Sequence, residues 1–566
     1  MRKIIFFIHL FILSFSLFCY KGDFYKVEKK YHKFCLKRNN HEFLNNSNFF
    51  YDFKSIKQTE NIPDFKDFNI DAFEFPLHTT SVSEKKKKLA RAILECYALL
   101  AISQTNYWIN YSDWIEDWQF ELKWEDQKMR LFTLDANRFD DNDFSTNWTH
   151  SLSGAIYYSF PRSNNHNWLE SFIFTSVASL YWEYLVEWRE VVSVNDNIFT
   201  SFGGPNIGEA LFQLGDYFSK KSGAINNILA FIFSPILSLN NWLDRKKRKN
   251  SITGYKIPWH EFHFFLGQKN SFEPENGYNY THLNIGFETE IINVPEYKNV
   301  GKINRFVKDI YSSEIFFDIN LSSNGVEEYN ALAKVALFGY FYQDIKKQSS
   351  NSLKGSNFFL GASSAFELFK KKSFSLDNSS LEINSSNQTE SINFPANFSD
   401  KLSVINIIGP TFSYFFCSND FSLRLRADAY IDFALINSFA MNKYSSNYDI
   451  SEAKSTLKNY GYYYAFGFTI SSDLALYYHN FIFKGKIKYH YFDSIEGLDR
   501  HQSNVIDDFD INDSRLVYEL SFGFKLHSAP LTFELSLEGI NREGIIKDIS
   551  HTEFRTRLYS RIKFNF

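Results

Sequence analysis

Arg557-Leu558-Tyr559-Ser560-Arg561-Ile562-Lys563-Phe564-Asn565-Phe566 is the stretch that decides the fold. In an extended strand, successive side chains point to opposite faces. Leu558, Ile562, Phe564 and Phe566 therefore share one face, and Arg557, Arg561, Lys563 and Asn565 share the other. One face suits lipid and the other suits water, as in the wall of a membrane β-barrel.

Working back from that strand, alternating segments rich in aromatic and β-branched residues recur from about residue 258. Twelve are predicted, near 258–269, 280–292, 313–321, 330–343, 356–369, 403–416, 420–435, 460–471, 474–492, 514–527, 530–541 and 553–566. Most reach the roughly 9–11 residues that a tilted strand needs to cross a bilayer. Links after the fifth strand alternate long (370–402, 436–459, 493–513, 542–552) and short (Cys417-Ser418-Asn419, Ser472-Asp473, Ser528-Ala529). Long external loops and short periplasmic turns give that rhythm. The last strand also resembles the terminal strand by which bacterial outer-membrane barrels are recognised. That makes Phe566, Phe564 and Ile562 an expected signal to the barrel-assembly machinery.

The N-terminus agrees on compartment. Met1-Arg2-Lys3 followed by the apolar run Ile4 to Phe18 reads as a signal peptide, residues 1–19, with Cys19 in a poor lipidation context. Four cysteines give no disulfide framework for an exported chain. A net charge of −4 excludes an electrostatically driven nucleic-acid binder. Mean hydropathy of −0.32 is too polar for a helical membrane protein but ordinary for a barrel, where alternate residues meet lipid.

All ten tryptophans lie between Trp108 and Trp259, which marks a composition boundary. Residues 20–84 lack a clear period and are expected to be a loosely ordered periplasmic segment. Residues 85–257 carry helical patterns, and the basic run Lys85 to Lys88 is expected to be a solvated helix end or a contact with lipid headgroups rather than a nucleic-acid patch. The predicted fold is thus an all-β membrane barrel of about twelve antiparallel strands, residues 258–566, preceded by an α-helical segment seated in or under the lumen as a plug. Its expected location is the bacterial outer membrane, with outer-membrane lipid as a partner and no nucleic acid.

The chemistry-bearing residues concentrate in 147–218. Asn147-Trp148-Thr149-His150 leads to Gly154, Tyr157-Tyr158 and Arg162-Ser163. Ser179-Leu180-Tyr181-Trp182-Glu183-Tyr184-Leu185-Val186-Glu187 follows, then Ser193-Val194-Asn195-Asp196, Gly203-Gly204 and Gly208-Glu209. This order resembles an uncharacterised bacterial outer-membrane family catalogued as domain of unknown function 3943. The resemblance makes His150, Arg162, Glu183, Glu187, Asn195, Asp196 and Glu209 the polar signature positions. Pro205 inside the Gly-rich stretch and Ser151 depart from the family pattern. The resemblance implies no activity, cofactor or ligand.

Read physically, Glu183 and Glu187 stand at i and i+4 of an apolar helix and share a face. Such carboxylates need a cation, a metal or shared protons. Arg162, Arg189 and His150 are the expected partners, and Ser193 or Asn195 an expected cap for the next helix. Gly203, Gly204 and Gly208 would allow close helix packing. Three readings follow. The first is a polar network anchoring a plug in a charged lumen. The second is a hydrolase-like site on envelope lipid or glycan, with His150 as base held by Glu183 or Glu187, Asp196 nearby, and Ser153 or water as nucleophile. The third is a divalent-metal site.

Overall fold

The computed structural model describes residues 86–110, 120–245, 258–273, 278–348, 352–371, 400–445, 447–498 and 509–566. The expected signal peptide, Cys19, the 20–84 segment and nearly all of the 371–400 loop lie outside them.

Twelve strands form the wall: β1 Trp259–Glu273, β2 Tyr278–Ile292, β3 Ser312–Ser322, β4 Gly325–Lys347, β5 Leu353–Lys371, β6 Lys401–Ser418, β7 Phe421–Ile436, β8 Tyr463–Tyr478, β9 Phe481–Ser494, β10 Ile511–Lys525, β11 Leu531–Ile546 and β12 Ile549–Asn565. Each pairs antiparallel with its sequence neighbour. β12 pairs with β1, so the sheet closes into a twelve-stranded antiparallel barrel. A short strand, Gly301–Val307, extends the edge of β4 below β3. It occupies the 293–312 link, which is too long for a simple turn.

Alternation sorts the wall as the last strand suggested. Arg557, Arg561 and Lys563 point inward and meet carboxylates of other strands. Ile562, Phe564 and Phe566 point outward and are exposed. Two sequence boundaries are corrected. Ser472-Asp473 is not a turn: Asp473 faces the lumen within β8 and pairs with Arg426, while the chain turns at His479-Asn480. The 542–552 link is not long either, because β11 and β12 run on to a two-residue turn at Lys547-Asp548.

The lumen is crossed by ion pairs between non-adjacent strands: Arg424–Glu290 (2.7 Å), Lys334–Asp428 (2.7 Å), Lys488–Glu367 (2.7 Å) and Lys269–Glu328 (2.6 Å). Loops fill both ends. At one end Tyr297 packs on Phe341 and Phe415, and Gln343 Nε2 donates to the Glu296 and Asn299 carbonyls. At the other, the 437–462 loop buries Ala440, Met441, Tyr444 and Leu457 against Val404, Ala434 and Phe492. Asp400 there faces Arg542 (2.5 Å), Arg555 (2.7 Å) and Arg515 (3.7 Å).

Among the described residues, eight helices precede the barrel: α1 Leu89–Asn110, α2 Trp124–Leu131, α3 Phe144–Ser163, α4 Trp168–Tyr181, α5 Val194–Ile198, α6 Gly204–Ser219, α7 Ala224–Phe233 and α8 Pro235–Leu243. π-helical turns at Trp182–Val186 and Phe199–Gly203 extend α4 and join α5 to α6. These helices do not enter the lumen, which corrects the expected plug. They pack on the outside of the wall. A single cross-strand row, Phe433–Ile405–Phe366–Ala333–Ile315–Thr289–Phe262, runs outward-facing over β7 to β1. Phe199 meets Phe433 (5.8 Å between rings) at one end, and Tyr217 meets Phe262 (5.0 Å) at the other. At about 1.5 Å per residue, the 18 steps from Phe199 to Tyr217 span about 27 Å. Six inter-strand gaps of about 4.8 Å make about 29 Å. The helix therefore lies along the row, across the strands.

Asp400→Asn should remove the carboxylate shared by buried Arg515 and Arg542 and half-buried Arg555, leaving Asp513 to Arg542 and Glu553 to Arg555, and cost about 3–5 kcal/mol. The compact, heat-modifiable gel band should convert at a clearly lower temperature than in the parent chain.

Candidate functional site

Close packing of α3 on the α5–α6 turn builds the site. A Cβ on Gly204 would fall 2.5 Å from the Gly154 backbone, and one on Gly154 would fall 2.0 Å from the Thr200 carbonyl oxygen. Only glycine permits that approach. It brings the polar residues of 150–162 beside those of 193–209, in two separate groups.

The first group is an anchor. Glu209, buried on α6, accepts from Arg162 Nε (2.7 Å) and Nη2 (3.0 Å), from the Tyr158 hydroxyl (2.6 Å) and from Gln213. Arg162 Nη1 continues to the His166 carbonyl (2.9 Å) and to Asp309 (3.1 Å), between the short strand and β3. Arg162 thus ties α3 to α6 and both to the wall. It does not serve Glu183 or Glu187, as the spacing had suggested.

The second group lies at the opposite end of α3, beside the start of β8. His150 Nε2 stands 3.3 Å from Asp196 Oδ2. Ser193 caps α5, its hydroxyl accepting from the Asp196 N–H (3.3 Å), and its own N–H donates to Glu183 Oε2 (3.0 Å). Asn195, fully buried, donates to Asn147 Oδ1 (2.6 Å) and to Asp140 Oδ2 (3.1 Å), and its Oδ1 accepts from the Asp140 N–H (2.9 Å). Asn147 Nδ2 reaches the Tyr462 hydroxyl (2.7 Å), and the Tyr464 hydroxyl donates to the Asp140 carbonyl (3.1 Å). Glu187 accepts from Trp182 Nε1 (2.7 Å). His150, Glu183, Glu187 and Asp196 are therefore brought to one neighbourhood, and among the described residues none is tied to a lysine or arginine side chain of the barrel.

Asp140 and Arg130 belong to this group and were not singled out from the sequence. Arg130, fully buried, donates to the carbonyls of Glu183 (2.8 Å), Glu187 (3.0 Å) and Glu190 (2.9 Å), capping the turn that carries the two glutamates. Asp140 opens the run Asp140-Asp141-Asn142-Asp143, whose last member caps α3. That acidic, helix-starting run was the available signal.

Carboxylates crowd this group. Burial raises Glu187 to about 8, with Glu190 and Asp140 adding to the rise and the Trp182 hydrogen bond opposing it. Burial, then neighbouring carboxylates, holds Glu183 and Asp196 well above the ordinary carboxylate range. Burial also lowers the His150 imidazole, against the pull of Asp140. Imidazole and carboxylates are thus each shifted toward their neutral forms. Among the described residues, no group of three or more His, Cys, Asp or Glu is arranged to hold a metal ion, so the metal reading has no site there. No hydrogen bond joins Ser153 to His150 among them.

Residues 136–236 match the family model described as Domain of unknown function (DUF3943). That match spans α3 to α7 and includes Asp140, His150, Arg162, Glu183, Glu187, Asn195, Asp196 and Glu209, but not Arg130. No curated protein matches the chain. Among solved structures, it is similar to a loop-deletion mutant of OmpT, an outer membrane protein of Vibrio cholerae, at 8% identity over 54% of this chain and 99% of that one, with a TM-score of 0.19. The translocator domain of the autotransporter NalP from Neisseria meningitidis matches at 8% identity over 56% and 90%, TM-score 0.17. The P. putida toluene transporter TodX matches at 10% over 54% and 88%, TM-score 0.18. Superpositions this loose say nothing of function.

Glu187 keeps its proton up to about 8 in the folded chain and loses it near 4.5 when exposed. Between those values the folded state binds more protons, so stability falls as pH rises through the window. Nine of the ten tryptophans precede β1, so tryptophan emission reads the helical segment. Its melting temperature should drop by several degrees from pH 5 to pH 8.5. Glu187→Gln should flatten that slope; an unchanged slope would remove Glu187 as its cause.

Proposed function

We propose that this protein is an outer-membrane barrel that serves as a closed scaffold for the helical domain on its outer wall, where that domain meets lipid. The observation that carries the reading is a lumen crossed by ion pairs and packed by loops at both ends. Ion pairs cross it from strand to strand, and the Tyr297 and 437–462 loops pack its two ends. A transport role needs a continuous aqueous path, and the expected helical plug is not what closes this one. Assembly through the barrel-assembly machinery, with Phe566 and Phe564 on the outward face of β12, belongs to the same proposal.

A second reading is favoured by His150. It keeps 28% of its side-chain surface exposed beside Asp196, on the outside of a barrel where lipid is the neighbour. An enzyme acting on an envelope lipid would use His150 as a base. Against it stand the burial that shifts Asp196 toward its neutral form, weakening its hold on His150, and the lack of a hydrogen bond between Ser153 and His150 among the described residues. The scaffold reading therefore leads.

In planar bilayers the full chain should give no steady conductance, and removing residues 294–299 should open a measurable one. A steady channel from the unaltered chain would overturn the scaffold reading. Loss of one lipid species from cells carrying His150→Ala, with the barrel still folded, would establish the enzyme instead.

A further inference from the structure

The helical domain is apolar on the side away from the wall as well. Leu169, Ile173, Val177 and Leu180 form one exposed stripe on α4, and Ile93, Leu94 and Tyr97 are exposed on the adjoining α1. Positions i, i+4, i+8 and i+11 share a helix face. α4 carries a single charged residue, Glu170 in its first turn. The stripe continues the bare outward wall of the barrel, where Ile431, Phe466 and Ile470 are equally exposed. From Leu169 to Leu180 it runs about 16 Å at about 1.5 Å per residue. That is close to half of a hydrocarbon core about 30 Å thick, the depth of one leaflet.

One end of this stripe is basic. Lys87 bridges from the start of α1 to Glu170 at the start of α4 (2.6 Å), while Lys88 (2.6 Å) and Arg91 (2.7 Å) share Asp244 at the end of α8. Lys86 and Arg245 beside them are exposed, and among the described residues neither has a carboxylate partner. The opposite end holds Asp140, Glu183, Glu187 and Asp196. The domain is thus polarised along its length, with surplus cations where the apolar stripe begins. Tyr217 and Phe218, at the end of α6 on the first residues of β1, place that end at the rim where β1 starts.

Resting on the lipid-facing reading of the domain, we infer that this surface binds an anionic phospholipid. Its acyl chains lie along the α1–α4 face, and its phosphate sits at Lys86 and Arg245. Apolar helical surface with clustered cations at one end is the combination that recognises such lipids.

The test uses the full chain reconstituted into phosphatidylcholine vesicles doped with phosphatidylglycerol. A photo-crosslinking side chain is placed at Ile173 on the helical face or at Ile470 on the bare wall. Both positions should capture lipid. Ile173 should capture phosphatidylglycerol several-fold above its share of the bilayer, Ile470 in proportion to it, and Lys86→Glu with Arg245→Glu should return Ile173 to proportion. Capture at Ile173 without enrichment would overturn the inference and leave the scaffold reading standing. Capture at Ile470 but none at Ile173 would overturn both, as something other than lipid would cover the domain. Displacement of the captured phosphatidylglycerol by added lipopolysaccharide would also overturn the inference.

Discussion

Closing twelve strands gathers eleven carboxylates and eight lysines and arginines around one cavity of about 260 Å³. At that crowding a charge without an opposite neighbour is costly. The inward residues answer each other between strands: Arg426 serves Glu314 across the lumen and Asp473 on the neighbouring strand, and Lys563 serves Glu534 on the neighbouring strand and Glu288 two strands away. Most inward charges are thus answered by the wall itself, which leaves a helical plug little to pair with. The lumen is stitched by its own wall, and its ends are packed by loops. The helical segment must then bury its apolar surface elsewhere, and the outward face of the same wall is the surface on offer.

How it does so follows from simple dimensions. A helix laid across strands needs a flat row of side chains about as long as itself, and the Phe433 to Phe262 row supplies one. Burying aromatic pairs such as Phe199 and Phe433 contributes roughly 1.5–3 kcal/mol per side chain. Polar fixing is concentrated at a few points: Arg162 to Asp309, Asn206 to Ser364, and Asn147 to Tyr462. Glycines at 154 and 204 let α3 ride directly on the helix that touches the wall.

Much of this was legible in the sequence. All twelve strands show through their alternation, because each has one face toward charge and one toward apolar surroundings. Errors came where alternation and turn chemistry look alike. Ser472-Asp473 reads as a turn, yet Asp473 is an inward residue answering Arg426. The side of the wall on which the helices sit was misread, although a signal existed. A plug facing a charged lumen needs a polar outer surface, and α4 has Leu169, Ile173, Val177 and Leu180 there. The partner of Arg162 was not legible at all. Glu209 is 47 residues away, and only the crossing of α3 and α6 joins them.

The two polar groups of the DUF3943 domain then differ in kind. Around Glu209 each charge has its counter-charge and its hydrogen bonds, with Arg162 held on several sides. That is the chemistry of a fixed joint. Around Asp196 four carboxylates and an imidazole share few cations, and Arg130 spends its donors on backbone carbonyls. Burial and mutual repulsion shift Glu183, Glu187 and Asp196 toward their protonated forms, so the state of this group depends on the pH of the medium. A joint needs none of that. Whatever the domain does beyond staying in place is therefore more economically assigned to the His150 and Asp196 end, while Arg162 and Glu209 explain why it stays.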